Sequence, residues 1–327
     1  MTFHLKMTGL ALATSVGLAL GAGAARAEKW DLPAAYPDGN YHTQTLKLFA
    51  EGVKKATGGK IDIVVHANGS LFKGNDIKRA VQTGQAPIGE RLLSAHANES
   101  PMFGLDNVPF LATSFDESDK LWAAMRPEIE KVLDRQNLVL LYSVQWPPQG
   151  FYFKKQVDSV ADMKGIKFRS YNTATARIAA LAGMQPVQIE AAELPQALST
   201  GVVESFISSG STGYDSKAWE NISHFVDVQA WLPRNYVIVN KDVWNKLDAP
   251  TRDAVKAEAA KAEKAGNAKA RELTGWYLEQ LKAKGMKVSA PTDKLKADLQ
   301  AIGKTMTEEW LKAAGDAGKA VMTAFQK

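Results

Sequence analysis

Two series of short apolar runs, each run followed by an amphipathic stretch, divide this chain, and residues 146–155, WPPQGFYFKK, stand between them. In the first series, residues 29–36, 60–68, 86–88 and 138–144 read as strands. Residues 43–59, 72–84 and 115–137 carry the helical spacing between them. Gly58, Gly59 and Gly84 supply helix stops, and Pro127 is expected to bend the third helix or mark a junction. The run LVLLYSV at 138–144 is apolar without alternation, as in a strand covered on both faces. Strands alternating with helices argue for an α/β fold with mixed, mostly parallel sheets.

After the two prolines and the glycine of WPPQG the alternation restarts. Residues 167–169 form a strand, a helix runs to Leu181, 184–189 is a strand, 192–201 a helix and 202–208 a strand. A second crossing is expected at 231–240, WLPRNYVIVN. From Pro250 to Gly285 a helix with few breakers follows, with bends expected at Gly266 and Gly275. At 1.5 Å per residue it reaches about 50 Å, enough to lie across two domains.

Length agrees with two domains: 327 residues, with 45% apolar and 23% charged content. Lys6, the apolar stretch 10–25 and the small residues of ARA at 25–27 form a secretory signal, so residues 1–27 are expected to be cleaved on export. Loss of Lys6 and Arg26 takes the net charge from +5 to +3. The chain has no cysteine, hence no disulfide framework and no thiolate nucleophile. No basic stripe interleaved with aromatics points to nucleic acid.

Enzyme signatures do not assemble. His42, His66, His96 and His224 show no metal-ligand spacing, and there is no nucleophile elbow, Walker loop or dinucleotide fingerprint. The Ser-rich SSGSTG at 208–213 has no base assigned to it by spacing. A binding protein with no catalytic residue, no metal and no cofactor is the expectation.

Arg169 is the residue that asks for an explanation. It ends the strand KFR, and the helix after SYNTAT begins at once. In open α/β sheets ligands bind beyond the carboxyl ends of strands, where helix N-termini present free amides. Asn172 or Ser170 can cap that helix, and the guanidinium offers a planar fork that matches a carboxylate. Ser208, Ser209 and Ser211 follow another apolar strand and can fix further oxygens. The competing reading is structural: Arg169 pairs with Glu190 or Glu204 and ties strand to loop.

Residues 158–205, DSVADMKGIKFRSYNTATARIAALAGMQPVQIEAAELPQALSTGVVES, resemble the signature region of the DctP-type periplasmic substrate-binding proteins of TRAP transporters. Further likeness lies in 46–71, in VPFLA at 108–112 and in VIVNKDVWNKL at 237–247, so it spans nearly all of the chain after residue 27. The resemblance implies two α/β lobes joined by crossing strands, a long helix against both, and closure around a ligand. It implies lobe I from 28–149 plus 233–272 and lobe II from 150–232 plus 273–327. It also implies a periplasmic location, delivery to TRAP membrane subunits, and Arg169 as the carboxylate-binding arginine. A binding protein of an ABC importer and a periplasmic enzyme acting on a carboxylate are the alternatives.

The substrate expectation comes from departures. Sialic-acid-type members carry a second arginine after the glycine of the first crossing strand, where this chain has QGFYF. That favours a monocarboxylate, with an aromatic or 2-oxo acid first and a C4-dicarboxylate or sugar acid second. The expected ligand-binding set is Arg169, Gln149, Asn172, Ser208, Ser209, Tyr171, Trp146, Tyr214, Trp231 and Glu90. The aromatics are chosen because such rings stack on planar ligands. Glu90 is either an acceptor for a ligand proton or a helix-start acid.

Overall fold

The computed structural model describes residues 1–2 and 27–327. The expected signal peptide, residues 1–27, lies outside the described residues apart from its ends. In chain order the elements are β1 (Glu28–Pro33), α1 (Tyr41–Ala56), β2 (Ile61–His66), α2 (Gly74–Gln82), β3 (Ile88–Leu92), α3 (Phe115–Arg135) and β4 (Leu138–Gln145). They continue as β5 (Gln149–Phe153), β6 (Lys167–Ser170), α4 (Thr173–Leu181), β7 (Gln185–Gln188), α5 (Leu194–Ser199), β8 (Ser205–Ser209) and α6 (Gly210–Asp215). The last are β9 (His224–Val226), β10 (Arg234–Asn240), α7 (Lys241–Lys246), α8 (Ala249–Ala283), β11 (Lys287–Ser289) and α9 (Asp293–Gln326).

Two lobes result, each built on sheets covered by helices. In the first, β1 pairs with β2 in parallel, and β10 runs antiparallel between β3 and β4. Side chains alternate across a strand, and β10 shows both faces in use. Val237 and Val239 enter one apolar core with Phe49 and Val255, while Tyr236 and Ile238 enter the opposite one with Leu121 and Met125. The apolar run of β4 records the same two-sided coverage. It says nothing of strand direction, and here the sheet is antiparallel.

The second lobe carries a six-stranded sheet in the order β11-β9-β5-β8-β6-β7. β6 is parallel to both β7 and β8, because helical crossovers connect these strands, whereas β5 is antiparallel to β8 and β9. Parallel pairing is thus kept where strand–helix–strand units stand. It is lost at β5 and β10, which enter their sheets from the other lobe.

α8 runs unbroken through Gly266 and Gly275, so neither glycine ends it. Gly266 serves contact instead: a Cβ there would lie 2.8 Å from Val144 Cγ2 and 3.1 Å from Thr45 Cγ2. Farther along, α8 packs on α6, where a Cβ on Gly210 would come within 3.0 Å of Tyr277 Cβ. One helix therefore touches both lobes. Pro127 sits inside α3 without ending it. α9 also serves both lobes, with Leu295 and Leu299 in a second-lobe core and Trp310 and Val321 in a first-lobe one. Its direction changes at Gly315, whose φ of 59° lies in the region glycine favours. Among the described residues no helix is long and apolar enough to cross a membrane.

Candidate functional site

The local fold at Arg169 follows from alternation on β6. Phe168 goes into the second-lobe core, so its neighbour must face the other way, toward the first lobe. There Arg169 is 3% exposed. Its Nε donates to Ile189 O at 2.8 Å, and its guanidinium carbon lies 5.1 Å from the Tyr171 ring centre. Among the described residues, no carboxylate comes within 4.0 Å of its nitrogens, Glu190 and Glu204 included. Burial holds its pKa down, to about 10, so the group is still a cation at neutral pH. A buried cation with unspent donors is costly, and an incoming anion removes the cost.

Those donors open into a cleft between the lobes. Five of the expected residues line it: Arg169, Gln149, Ser208, Tyr171 and Trp146. Gln149 is the first residue of β5 and faces Ser209 of β8 in register, with Ser208 opposite Gly150. Gln149 Nε2 donates to Pro147 O at 3.0 Å, and its Oε1 accepts from the Tyr171 hydroxyl at 3.4 Å. Trp146 Nε1 donates to Asn235 Oδ1 at 2.8 Å, and its ring lies 4.1 Å from that of His42.

The other five stand elsewhere. Asn172 caps α4 by accepting from Thr175 N at 2.8 Å, and its Nδ2 donates to Ser94 Oγ and Asn107 Oδ1 across the lobes. That amide is consumed by the cap, so α4 presents it to Asn172 and not to the cavity. Ser209 caps α6. Glu90 lies inside β3 and is not a helix-start acid; its Oε1 accepts from Asn235 Nδ2 at 2.6 Å and stands 3.4 Å from His42 Nδ1. Tyr214 packs among Trp219, Trp276 and Tyr277 beside α8. Trp231 lines a small apolar cavity with Phe110, Phe151 and Leu299.

Several cavity residues went unnoticed in the sequence. Arg91 of β3 brings a second guanidinium, although the crossing strand has none. Its Nη2 donates to Asn75 Oδ1, and Asn75 also lines the cavity. Tyr36 adds a hydroxyl whose pKa burial pushes up to about 12, so it is neutral and can donate. Gln188, Glu190 and Thr212 complete the polar lining. Arg91 was within reach of sequence reasoning, since ERL ends an apolar strand as KFR does. Among the described residues no group of three or more His, Asp or Glu is placed to hold a metal ion. The arrangement presents the Arg169 cation, a second arginine, the Glu190 carboxylate and neutral donors and acceptors to one cleft. It suits capture of a compact anion with polar atoms of its own.

Comparison with known proteins agrees with this geometry. The family described as bacterial extracellular solute-binding protein, family 7, matches residues 34–314. A TRAP solute-binding protein from a marine metagenome, specific for pyroglutamate and solved with co-purified pyroglutamate, is 55% identical. The match covers 92% of this chain and 99% of that one at a TM-score of 0.91. A Bordetella pertussis extracytoplasmic solute receptor binding pyroglutamic acid is 49% identical over 91% and 99% of the two chains, at a TM-score of 0.90. A second such receptor from that bacterium is 45% identical over 92% and 100%, at a TM-score of 0.91.

Proposed function

The chain belongs to the DctP family of bacterial extracellular solute-binding proteins, family 7, and we propose that it captures pyroglutamate between its lobes for delivery to TRAP membrane subunits. The observation that carries this reading is the Arg169 guanidinium, buried yet hydrogen-bonded among the described residues only at Nε, in a cleft shared by both lobes. Three relatives at 45–55% identity that bind pyroglutamate support the choice of ligand. This takes the place of the aromatic or 2-oxo acid suggested by the ring-rich sequence. Trp146 already packs in tilted contact with His42, its ring centre 4.1 Å away.

In the proposed complex the ligand carboxylate accepts two parallel hydrogen bonds from Arg169, each charge-assisted bond contributing about 1.5–3 kcal/mol. Gln149 and Ser208 meet the lactam N–H and C=O, and Arg91 strengthens the field for a monoanion. Closure excludes water, so these bonds form in a low-dielectric space. The protein holds and releases its ligand without altering it, in the periplasm after export. The lobe boundaries drawn from the sequence, 28–149 with 233–272 against 150–232 with 273–327, belong to the same proposal.

Titration calorimetry with L-pyroglutamate, phenylpyruvate and succinate tests it. Pyroglutamate is expected to bind at least about 100-fold tighter than either, a gap of roughly 2.7 kcal/mol. Tighter binding of succinate or phenylpyruvate refutes the choice of ligand. A ligand at 100 times its Kd should also add about 2.7 kcal/mol to stability by mass action.

A further inference from the structure

We propose that Glu190 is a positioning residue that clasps the lobes shut by capping α2 from across the cleft. The inference rests on the ligand-capture reading above and deepens it. Helix starts leave backbone N–H groups without partners, normally met by a side chain at the cap position. The cap residue of α2 is Lys73, which makes no side-chain cap bond. The missing acceptor comes from the other lobe: Glu190 Oε1 accepts from Asn75 N at 3.0 Å.

Gly74, the first residue of α2, marks the same contact. A Cβ there would fall 2.3 Å from Glu190 Oε2 and 2.9 Å from Arg91 Nη1. Its backbone is not in the left-handed region, so close approach, not dihedral freedom, is what a side chain would disturb. The nearby Lys73–Glu193 pair spans 3.8 Å with side chains 76% and 54% exposed, and contributes little to closure.

The clasp is joined to the ligand site by one residue. Ile189 O accepts the Arg169 Nε hydrogen bond at 2.8 Å, and Glu190 follows it in the chain. A carboxylate that fixes Arg169 thereby fixes the segment carrying Glu190. On the opposite side Arg91 holds Asn75 through its Oδ1. The cap exists only when the lobes meet, so it is a contact made better in the closed form, which is what a ligand needs to drive closure.

The test uses the full mature protein with L-pyroglutamate, in wild type, Glu190→Ala, Glu190→Gln and Gly74→Ala. Affinity, dissociation rate and hydrogen exchange of the Asn75 amide are read. Glu190→Ala is expected to bind about 10-fold weaker, through faster release, with Asn75 protection lost. Gly74→Ala crowds the Glu190 carboxylate and the Arg91 Nη1 beside it, and should act in the same direction, by about threefold or more. Glu190→Gln keeps an acceptor oxygen and should stay within about threefold of wild type. If Glu190→Ala weakens binding while Gly74→Ala is silent, Glu190 touches the ligand directly and the clasp is refuted. Unchanged affinity and unchanged Asn75 exchange in both refute it as well. If wild type does not bind pyroglutamate, the ligand reading fails, and Asn75 exchange in the unliganded proteins decides the clasp: faster exchange in Glu190→Ala supports it, equal rates overturn it.

Discussion

Arg234 and Arg169 are exposed by only 1% and 3%, and burial lowers the pKa of each, but their surroundings differ. Arg234 Nη2 donates to Asp119 Oδ1 at 2.6 Å, Nη1 donates to Ser143 Oγ at 3.3 Å, and the group lies 5.4 Å from the Trp122 ring centre. Its backbone N–H goes to the buried Asp106 at 3.0 Å. Arg169 donates to one carbonyl and faces the Tyr171 ring, and among the described residues no carboxylate is in reach. Both stand near the ends of interior strands, Arg234 opening β10 and Arg169 one residue before the end of β6. The contrast teaches that burial of a cation is not by itself a sign of function. What separates a structural arginine from a receptor is whether the chain supplies the counter-charge.

The largest expected effect breaks the structural half of the pair. Arg234→Ala should cost about 3 kcal/mol of folding stability, the low end for a broken buried pair because Asp119 is half exposed and keeps Arg271. A denaturant titration with an unmoved midpoint would erase the distinction. Arg169→Ala should do the reverse. Pyroglutamate affinity should fall at least about 100-fold, roughly 2.7 kcal/mol, while unliganded stability stays within about 1 kcal/mol of wild type. Calorimetry and the same titration read both. Arg169→Lys keeps the charge but loses the planar fork, so an intermediate loss of about 10-fold is expected.

The smallest effect is in pH. Ligand binding favours the charged guanidinium, so the bound pKa lies above the empty value of about 10. The binding contribution is complete below that value and is lost as pH rises through it, by about tenfold per unit. Between pH 6 and 9 affinity should change by less than about twofold. A steep change in that range would mean that another group titrates with the ligand.

The strands and helices were legible because their periodicity is local. β6, α4, β7 and β8 fall on KFR, the helix to Leu181, MQPVQI and VVESFIS. Arg169 could be singled out because a charge at the end of an apolar strand is a local contradiction. Strand direction was less legible: β4 reads as apolar throughout, and coverage of both faces produces that whether its neighbours are parallel or antiparallel. Gly266 was legible as an exception in a helix, but not as a contact, since Val144 and Thr45 are far away in sequence.

The residues around the cavity mark the boundary most clearly. Tyr214 and Trp231 carry the same chemistry as Trp146, and nothing in their local sequence says that α8 covers one and Phe151 the other. Arg91, Asn75 and Tyr36 meet Arg169 only because two lobes close on each other. Local sequence was enough for the alternating elements, the strand-end guanidinium and the family pattern, since each is written within a few turns of chain. Which side chains share the cleft, and which acids stay away from Arg169, was settled by the packing of the two lobes. Those depend on packing between segments that no local spacing connects.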